Sequence, residues 1–535
     1  MQALGRHQEA AGVFGRAIAI EPRNPDYLND RGVAFLESGA AQEAMRDFDA
    51  ALALAPRFFG AFLNKGLVLK QSGDAPGALA ALDQAVALNP AYAPAHSNRA
   101  AVLLDLGKAA EALAAAERAI ALAPEFAEGW NNKGLAQLGL EDSGAALQSF
   151  QHATALDPTN AAAHYNAAGI YWQCGDYAAA IEAYRHCLRA APQHLMGLND
   201  LGLAEAALGN HAAALDCYDR ALRLAPDFAE AQFNKSLTCL LLGNFTEGWR
   251  LWETRKRKKT PVGFQDFGLP LWTGAQEIAG RCILLHWEQG FGDTIQFVRY
   301  ASLVQAKGAN VMLMVQPELA PLIRRVMPAI QVVESVPAEA TLQCPLMSLP
   351  KAFATSLETI PSAPLWAADE ARRTIWRARL GAATHYRIGF AWRGSAGHGN
   401  DRNRSLPLCE FLSIIDENAA WFGIQKGMPA TDREAFSAKP HLRIFDTEIM
   451  DFEDTAALVA EMDLIITVDT SLAHLAGSMG RACWVLLPFT PDWRWLLDQQ
   501  DSPWYPSIRL FRQKRLGDWA GVLDELREAL KAQDG

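Results

Sequence analysis

The stretch "PRFFGAFLNKGLVLKQSGDAPGALAALDQAVALNP" (residues 56–90) is one period of a repeat that determines the fold of the first half. Pro56 and Pro90 stand 34 residues apart, and proline returns at this spacing at positions 22, 124, 158, 192 and 226. A small residue follows each proline after ten positions, and a glycine follows after seventeen, with Glu141 as the exception. Small residues let two helices approach closely, glycine turns the chain, and proline ends a helix. The sequence therefore predicts helical hairpins in tandem.

A period of 34 residues with these features is the tetratricopeptide pattern. Stacked helical hairpins of this kind form a superhelix whose neighbours share one continuous core. We predict that residues 1–260 form this all-α tetratricopeptide array.

A column of amides accompanies the repeat. Two positions before each small residue stand Asp30, Asn64, Asn98, Asn132, Asn166, Asp200 and Asn234. Asparagine is a mediocre helix former because its amide competes for backbone hydrogen bonds. A ladder of amides along the concave face suits the backbone of an extended peptide, so the asparagines are predicted to line an acceptor groove. The alternative is that they bridge neighbouring helices.

From about Gly280 the periodicity changes to strands that alternate with helices. One series runs through residues 281–326, and a second begins at "YRIGFAWRGS" (386–395) and ends with "LIITVDTSLAHLAGSMGRACWVLLPF" (464–489). Such alternation implies parallel sheets covered on both faces. We predict two Rossmann-like domains that face a cleft, an N-terminal one (261–385) on the acceptor side and a C-terminal one (386–515) on the donor side, and then a C-terminal helix (516–535).

The end of the buried strand at 464–468 is a candidate anion site. Asp469, Thr470 and Ser471 follow the apolar run and open a helix that carries His474. Backbone N–H groups and hydroxyls at a positive helix end suit the phosphates of a nucleotide. The alternative is ordinary helix capping by the polar residues and packing of the histidine within the helix.

Four cations are candidates for holding the same phosphates, because arginine forks match phosphate oxygens. They are Arg393, Arg402 and Arg404 in "WRGSAGHGNDRNRSLP" (392–407) and Lys426 in "GIQKG". Solvated surface charges are the alternative for each. No Asp-x-Asp pair follows residue 270, so we expect a site without a metal and without a bound cofactor, the nucleotide-sugar being a co-substrate.

The two halves together resemble known families. An asparagine ladder on a tetratricopeptide superhelix, followed by such a domain, resembles the protein O-linked glycosyltransferases. "DTSLAHLAGSMG" (469–480) and "QGFGDTIQF" (289–297) are similar to the donor motif and the Gly-Asp turn of heptosyltransferase-like GT-B glycosyltransferases. The resemblance implies Asp293 as general base on a turn formed by Gly290 and Gly292, with Asp469, Thr470, Ser471 and His474 as donor contacts. Helix capping is the alternative role of Asp293, which stands directly before "TIQF". The tail at 488–513 resembles that of bacterial repeat-fused transferases, some of which modify flagellin.

The sequence thus favours an inverting glycosyltransferase that moves a sugar from a nucleotide-sugar to a hydroxyl of a protein held by the repeats, flagellin being one candidate. A transferase acting on a lipid-linked saccharide and an inactive scaffold are the alternatives. The net charge of −11 argues against a nucleic-acid partner. Scattered cysteines, and the lack of a signal peptide or an apolar run long enough to span a membrane, favour the cytoplasm.

Two further segments carry structural predictions. The basic run "RKRKK" (255–259) is predicted to be a solvated linker. Trp493, Trp495 and Trp504 are predicted to pack at a domain interface, with stacking on a base or sugar as the alternative.

Overall fold

A computed structural model describes residues 6–258, 263, 265–362, 366–382, 385–394, 401–437 and 442–533, except for the side chain of Arg402. The chain forms two compact units, Met1–Ala204 and Glu205–Gly535. The predicted domain boundaries are not tested by this division and stay a prediction. Within the described residues, no helix has the length and apolar character that a membrane crossing requires.

The first unit is a series of paired helices. In chain order they are α1 (His7–Ile20), α2 (Pro25–Glu37), α3 (Ala41–Leu54), α4 (Phe59–Gln71), α5 (Ala75–Leu88), α6 (Ala93–Asp105), α7 (Ala109–Leu122), α8 (Ala127–Gly139), α9 (Ser143–Leu156), α10 (Ala161–Cys174), α11 (Tyr177–Ala190) and α12 (Leu195–Ala207), in which the unit ends.

The repeated small residues explain how closely the helices pack. A Cβ added to Gly134 on α8 would come within 2.5 Å of the Phe150 ring on α9, so a larger residue would separate the pair. The turn after α8 shows the one departure from glycine. There Glu141 adopts a φ of 64°, in the left-handed region that glycine occupies in the other repeats. The repeat geometry therefore persists where its usual residue is missing.

The second unit begins with the last repeats. These are α13 (His211–Leu224), α14 (Ala229–Leu241) and α15 (Phe245–Trp252), followed by a 3₁₀ helix (Glu253–Arg257). Two indoles attach α15 to the α/β region of the same unit. Trp249 Nε1 donates to the Thr355 carbonyl and Trp252 Nε1 to the Met347 carbonyl, each at 3.1 Å.

The prediction of a solvated linker at 255–259 is wrong for its first two residues. Arg255 is fully buried, and its Nη2 lies 2.7 Å from Glu288 Oε2 and 2.7 Å from the Ser348 hydroxyl. Lys256 reaches the same serine at 3.1 Å. The charges here form an internal ionic cluster instead of a solvated face, and Lys259 lies outside the described residues.

The first sheet has four parallel strands in the order β3-β2-β1-β4. Its elements are β1 (Cys282–His286), α16 (Phe291–Phe297), α17 (Ala301–Ala306), β2 (Asn310–Met314), α18 (Ala320–Val326), β3 (Gln331–Val333), β4 (Leu342–Pro345) and α19 (Leu349–Ala352). β1 is central, so the loop that follows it lies in the middle of the carboxyl edge.

The second sheet has six parallel strands in the order β10-β9-β8-β5-β6-β7. Its elements are α20 (Glu370–Leu380), β5 (Tyr386–Ala391), α21 (Asp401–Arg404), α22 (Leu408–Phe411), β6 (Ala419–Gly423), α23 (Ala430–Ser437), β7 (Arg443–Ile444), α24 (Phe452–Ala460), β8 (Leu464–Val468), α25 (Ser471–Ser478), β9 (Cys483–Leu487), β10 (Ile508–Arg512) and α26 (Trp519–Lys531). The predicted fold class, an all-α tetratricopeptide superhelix followed by an α/β region with parallel sheets, is confirmed.

Candidate functional site

The motif at 469–474 lies where the predicted anion site requires it, at the carboxyl end of a central strand. β8 is fully buried and ends at Val468, and α25 begins three positions later, at Ser471. Thr470 caps this helix: its hydroxyl accepts from the Leu472 N–H at 3.3 Å and lies 3.1 Å from the Thr467 hydroxyl. Ligands of parallel sheets bind outside this edge. Asp469, Thr470 and Ser471 are partly exposed there, whereas the following residues of the first turn are buried.

The Gly-Asp turn and the 469–474 motif touch each other. A Cβ added to Gly292 on α16 would lie 2.8 Å from His474 Cδ2 and 3.5 Å from Ser471 Cα on α25. The two helices therefore meet at their first turns, and glycine is required for that approach. The two motifs that resemble glycosyltransferase signatures form one cluster, although they are far apart in the chain.

Asp293 binds a backbone N–H group and an arginine in this cluster. One carboxylate oxygen accepts the Gly290 N–H at 2.9 Å, which caps α16. The other binds the guanidinium of Arg494, which follows β9. Arg494 is itself buried, and it also contacts Asp492 Oδ1 at 2.8 Å and Gln296 Oε1 at 2.6 Å. Asp293 is thus both a helix cap and one half of an ion pair.

The electrostatics of the cluster depend on a balance of three acids, Asp293, Asp469 and Asp492, and two arginines, Arg404 and Arg494. Burial and the Asp492 carboxylate raise the pKa of Asp469 to about 6, against the opposing effect of Arg494 and Arg404. Burial lowers the pKa of Arg494, but Asp492 and Asp293 outweigh this effect and hold it above its usual range. Arg494 therefore stays charged, whereas Asp469 changes its charge close to neutral pH.

His474 is a buried member of the cluster. Its Nδ1 lies 3.2 Å from the Tyr505 hydroxyl, and its ring stacks on Trp495 with centroids 5.5 Å apart. Burial lowers the pKa of His474 well below its usual range, and the nearby cations Arg494 and Arg299 lower it further. The imidazole is neutral at pH 7 and packs as the alternative interpretation expects, so its role as a donor contact stays a prediction.

The predicted phosphate-binding cations are placed differently from one another. Arg404 Nη1 donates to the Asp469 carbonyl at 3.1 Å, so this side chain lies at the cluster. Arg393 lies 3.9 Å from both Asp401 and Asp432, in the loop after β5. Lys426 is exposed after β6 and donates to the Met450 carbonyl at 2.9 Å. The Arg402 side chain and residues 395–400 lie outside the described residues.

Arg494 is the residue of the cluster to which the sequence analysis gave no role. Its sequence signal is "DWRW" (492–495), in which a cation stands between two tryptophans a few residues after an apolar strand. Its guanidinium lies 4.3 Å from the Trp493 ring centroid, so the aromatic neighbours hold it in place. No group of three or more potential metal ligands occurs among the described residues.

The tryptophans near Arg494 confirm the packing prediction. Trp493, Trp495 and Trp504 are all buried. Trp493 meets Trp249 of α15 edge to face at 5.1 Å, and Trp504 meets Phe297 of α16 at 5.9 Å. These rings join the last repeat, the first sheet and the second sheet of the second unit.

The amide column bridges adjacent repeats at several positions. Each bond joins a column residue to a residue 35 positions earlier: Asn64 Nδ2 to Asn29 Oδ1 at 3.0 Å, Asn132 Nδ2 to the Ser97 hydroxyl at 2.8 Å, and Asn166 Nδ2 to Asn131 Oδ1 at 3.0 Å. The alternative interpretation is therefore correct for these three amides. They, Asn98 and Asn234 remain partly exposed, and their contact with an acceptor stays a prediction.

The chain is similar in sequence and in fold to known proteins. The chain is 27% identical over 335 residues to Protein FlbA of Caulobacter vibrioides, which covers 57% of this chain and 55% of FlbA. Among solved structures it is similar to the APC/C hetero-tetramer Cut9–Hcn1 (18% identity, 44% of this chain and 46% of that chain, TM-score 0.41) and to Pseudomonas aeruginosa PilF (20%, 39% and 95%, TM-score 0.35). The chain spans about half the length of the curated relative that it matches.

Family models match most of the predicted array. Models described as tetratricopeptide repeat match residues 2–57, 127–160 and 159–227, and one described as TPR repeat matches residues 66–107. These matches agree with the 34-residue lattice and with the helix pairs. The chain carries tetratricopeptide repeats across its N-terminal half.

Proposed function

We propose that this chain is a glycosyltransferase that moves a sugar from a nucleotide-sugar to a hydroxyl of a protein bound by the repeats. The observation that carries the proposal is the meeting of the Gly290–Asp293 turn with the Asp469–His474 motif. A transferase needs a base for the acceptor and a phosphate site for the donor within one cluster. The contact of Gly292 with His474 brings both candidates together.

The donor side is supported by charge and by backbone geometry. Arg404 and Arg494 lie close enough to Asp469 to oppose the rise in its pKa, and α25 directs its first N–H groups to the same edge. Two fixed cations and a helix N-terminus neutralise a departing phosphate without a metal ion. Asp469 would accept a hydrogen bond from a ribose or sugar hydroxyl.

In the proposed reaction, Asp293 takes the proton from the acceptor hydroxyl while its oxygen attacks the anomeric carbon. The bond from that carbon to the phosphate oxygen breaks, and the nucleotide leaves with both electrons. Attack from the face opposite the leaving group inverts the anomeric centre. Since Arg494 binds Asp293, Arg494 would transfer this hydrogen bond to the donor phosphate as the donor binds, which frees the Asp293 carboxylate to take the proton.

The same ion pair favours a second candidate, an inactive scaffold. An aspartate that caps a helix through Gly290 and neutralises Arg494 has a sufficient structural reason to be present. In that case the repeats alone would carry the function, since tetratricopeptide arrays bind proteins. Nucleotide binding distinguishes the two candidates.

The test is isothermal titration of the full chain with UDP, GDP, ADP and CMP, and then incubation with the sugar conjugate of whichever nucleotide binds. We expect one nucleotide to bind, with at least a tenfold loss of affinity in Asp469→Ala and in Arg404→Gln. Arg324→Gln is the matched control, because Arg324 pairs with Glu334 on the surface at 2.9 Å and should leave binding unchanged. A folded chain that binds none of the four nucleotides would refute the transferase and leave the scaffold.

A further inference from the structure

The first unit contains a cavity of about 300 Å³ between consecutive repeats. Four helices supply its lining: α8, α10, α11 and α12. Its lining includes Tyr165, Asn166, Trp172, Tyr184 and Asp200. Ligand pockets in proteins begin at about this volume, so the cavity is large enough for one extended side chain.

The cavity combines aromatic rings with one carboxylate. The Tyr165 and Tyr184 rings lie 5.8 Å apart at a tilt of 55°, and the Trp172 ring lines the same space. Asp200 accepts a 2.7 Å hydrogen bond from the Tyr165 hydroxyl and a 2.9 Å hydrogen bond from the Asn199 amide. Both donors are neutral groups, so they orient the carboxylate without neutralising its charge.

Asp200 occupies the same column as the asparagines. The Tyr165–Asp200 bond spans 35 residues, like the amide bonds that Asn132 and Asn166 make to the preceding repeat. The change from amide to carboxylate therefore keeps the bridge between repeats and adds a charge inside a cavity. Asn166, which lines the cavity as well, connects it to the ladder.

We propose that this cavity binds the cationic side chain of a lysine or arginine in an extended polypeptide that lies along the repeats. The proposal rests on the protein-binding half of the proposed function and makes its substrate class more specific: the acceptor carries a basic residue that anchors it to the array. It does not require the α/β region to be active.

The chemistry selects against the other classes of side chain. An acidic side chain would be repelled by Asp200, and an apolar one would remove water from the carboxylate without replacing its hydrogen bonds. A cation gains both the charge of Asp200 and the faces of the surrounding rings, which attract ammonium and guanidinium groups. Burial raises the pKa of Asp200 against the effect of its hydrogen bonds and of the nearby His194. Cation binding should therefore weaken at acid pH, as the carboxylate is protonated and as His194 gains a positive charge.

The experiment uses the full chain and a fluorescein-labelled peptide series, Gly-Ser-Gly-Xaa-Gly-Ser-Gly, in which Xaa is Arg, Lys, Gln or Glu. Fluorescence anisotropy measures the affinity for each peptide. We expect the Arg and Lys peptides to bind at least tenfold more tightly than the Gln peptide, and Asp200→Asn to abolish that preference. Asp200→Glu should retain part of it, since the charge is kept.

Asp30→Asn is the matched control, because Asp30 holds the corresponding column position in the first repeat and accepts from its neighbour Asn29 at 3.3 Å. Circular dichroism establishes that each variant is folded. Equal affinity for the Arg, Lys and Gln peptides would overturn the proposal, and so would an unchanged preference in Asp200→Asn. Nucleotide titration of the same sample tests the transferase independently, so the two proposals fail separately.

Discussion

The Arg494 guanidinium holds the Asp293 carboxylate and so ties the segment after β9 to the first turn of α16. The two residues are 201 positions apart in the chain. Asp492 shares the same guanidinium at 2.8 Å. This arrangement allows the role of each carboxylate to be tested against that of the other.

Asp293→Asn should reduce sugar transfer by about 10²- to 10⁴-fold while nucleotide affinity stays within about twofold, because the amide cannot accept the acceptor proton. An asparagine oxygen still accepts the Gly290 N–H, so α16 keeps its cap. The measurement is the transfer rate beside the nucleotide dissociation constant. Asp492→Asn removes the charge of the second carboxylate that binds Arg494 and should reduce transfer far less. Equal losses in both variants, or lost nucleotide binding in Asp293→Asn, would make Asp293 structural.

Asp469 should make the chain less stable as the pH rises. Its pKa is about 6 in the folded state against an ordinary value of 3.8, so between these values the native state binds more protons than the unfolded state. The contribution of Asp469 to the free energy of unfolding is therefore highest below pH 3.8 and declines up to about pH 6. Asp469→Asn should flatten this decline and raise the Tm at pH 7.5 by roughly 1–3 °C.

The measurement is the Tm by differential scanning calorimetry from pH 4 to 8. The exposed Asp416 provides a control, and Asp416→Asn should leave the profile of the parent chain unchanged. If the Tm of Asp469→Asn depended on pH as strongly as the Tm of the parent chain, another group would be responsible for the pH dependence. A residue that lowers stability at working pH is typical of functional sites, where activity and stability conflict.

Two positions of the amide column allow helix packing and peptide recognition to be tested separately. Asn132→Ala loses the bond to Ser97 and should lower the free energy of unfolding by about 1 kcal/mol. Asn98 makes no such bond among the described residues, so Asn98→Ala should leave stability nearly unchanged. If the ladder binds an acceptor, Asn98→Ala should still weaken binding of the Arg peptide several-fold in the anisotropy assay. The triple variant combines Asn98→Ala with Asn132→Ala and Asn166→Ala. If it and Asn98→Ala both bound the peptide as tightly as the parent chain, the column would serve only the packing between helices.

The repeats were predictable because their signals are local. Proline, small residue and glycine recur within 34 residues, and even Glu141 keeps the backbone of the glycine it replaces. The parallel sheets were predictable because their buried strands form continuous apolar runs, such as Leu464–Val468.

The contacts between distant segments were not predictable from local patterns. The pairing of Arg494 with Asp293, and the approach of Gly292 to His474, depend on how two sheets pack together. The run at 255–259 has the composition of a solvated linker, yet Arg255 is buried because Glu288, 33 residues later, supplies its counter-charge. A single sequence shows the charges of such groups but not their partners.

Breaking the buried pair Arg255–Glu288 should lower the stability strongly, whereas replacing both residues by apolar ones should lower it little. Both side chains are fully buried, and the guanidinium also donates to Ser348 and to the Trp252 carbonyl. Arg255→Met leaves the Glu288 carboxylate without its cation and should lower the free energy of unfolding by about 3–5 kcal/mol. The double variant Arg255→Met with Glu288→Leu removes both charges and should recover most of that loss, since buried ion pairs are often replaceable by apolar residues.

The measurement is chemical denaturation followed by tryptophan fluorescence, because Trp249 and Trp252 pack beside the pair. Lys65→Met serves as the control: Lys65 pairs with Asp49 on the surface at 2.7 Å, and its loss should cost less than about 1 kcal/mol. If the double variant were as unstable as Arg255→Met, the cluster would be needed for its hydrogen bonds to Ser348 and Trp252. These hydrogen bonds, and not the balance of charges, would then join the last repeat to the first sheet.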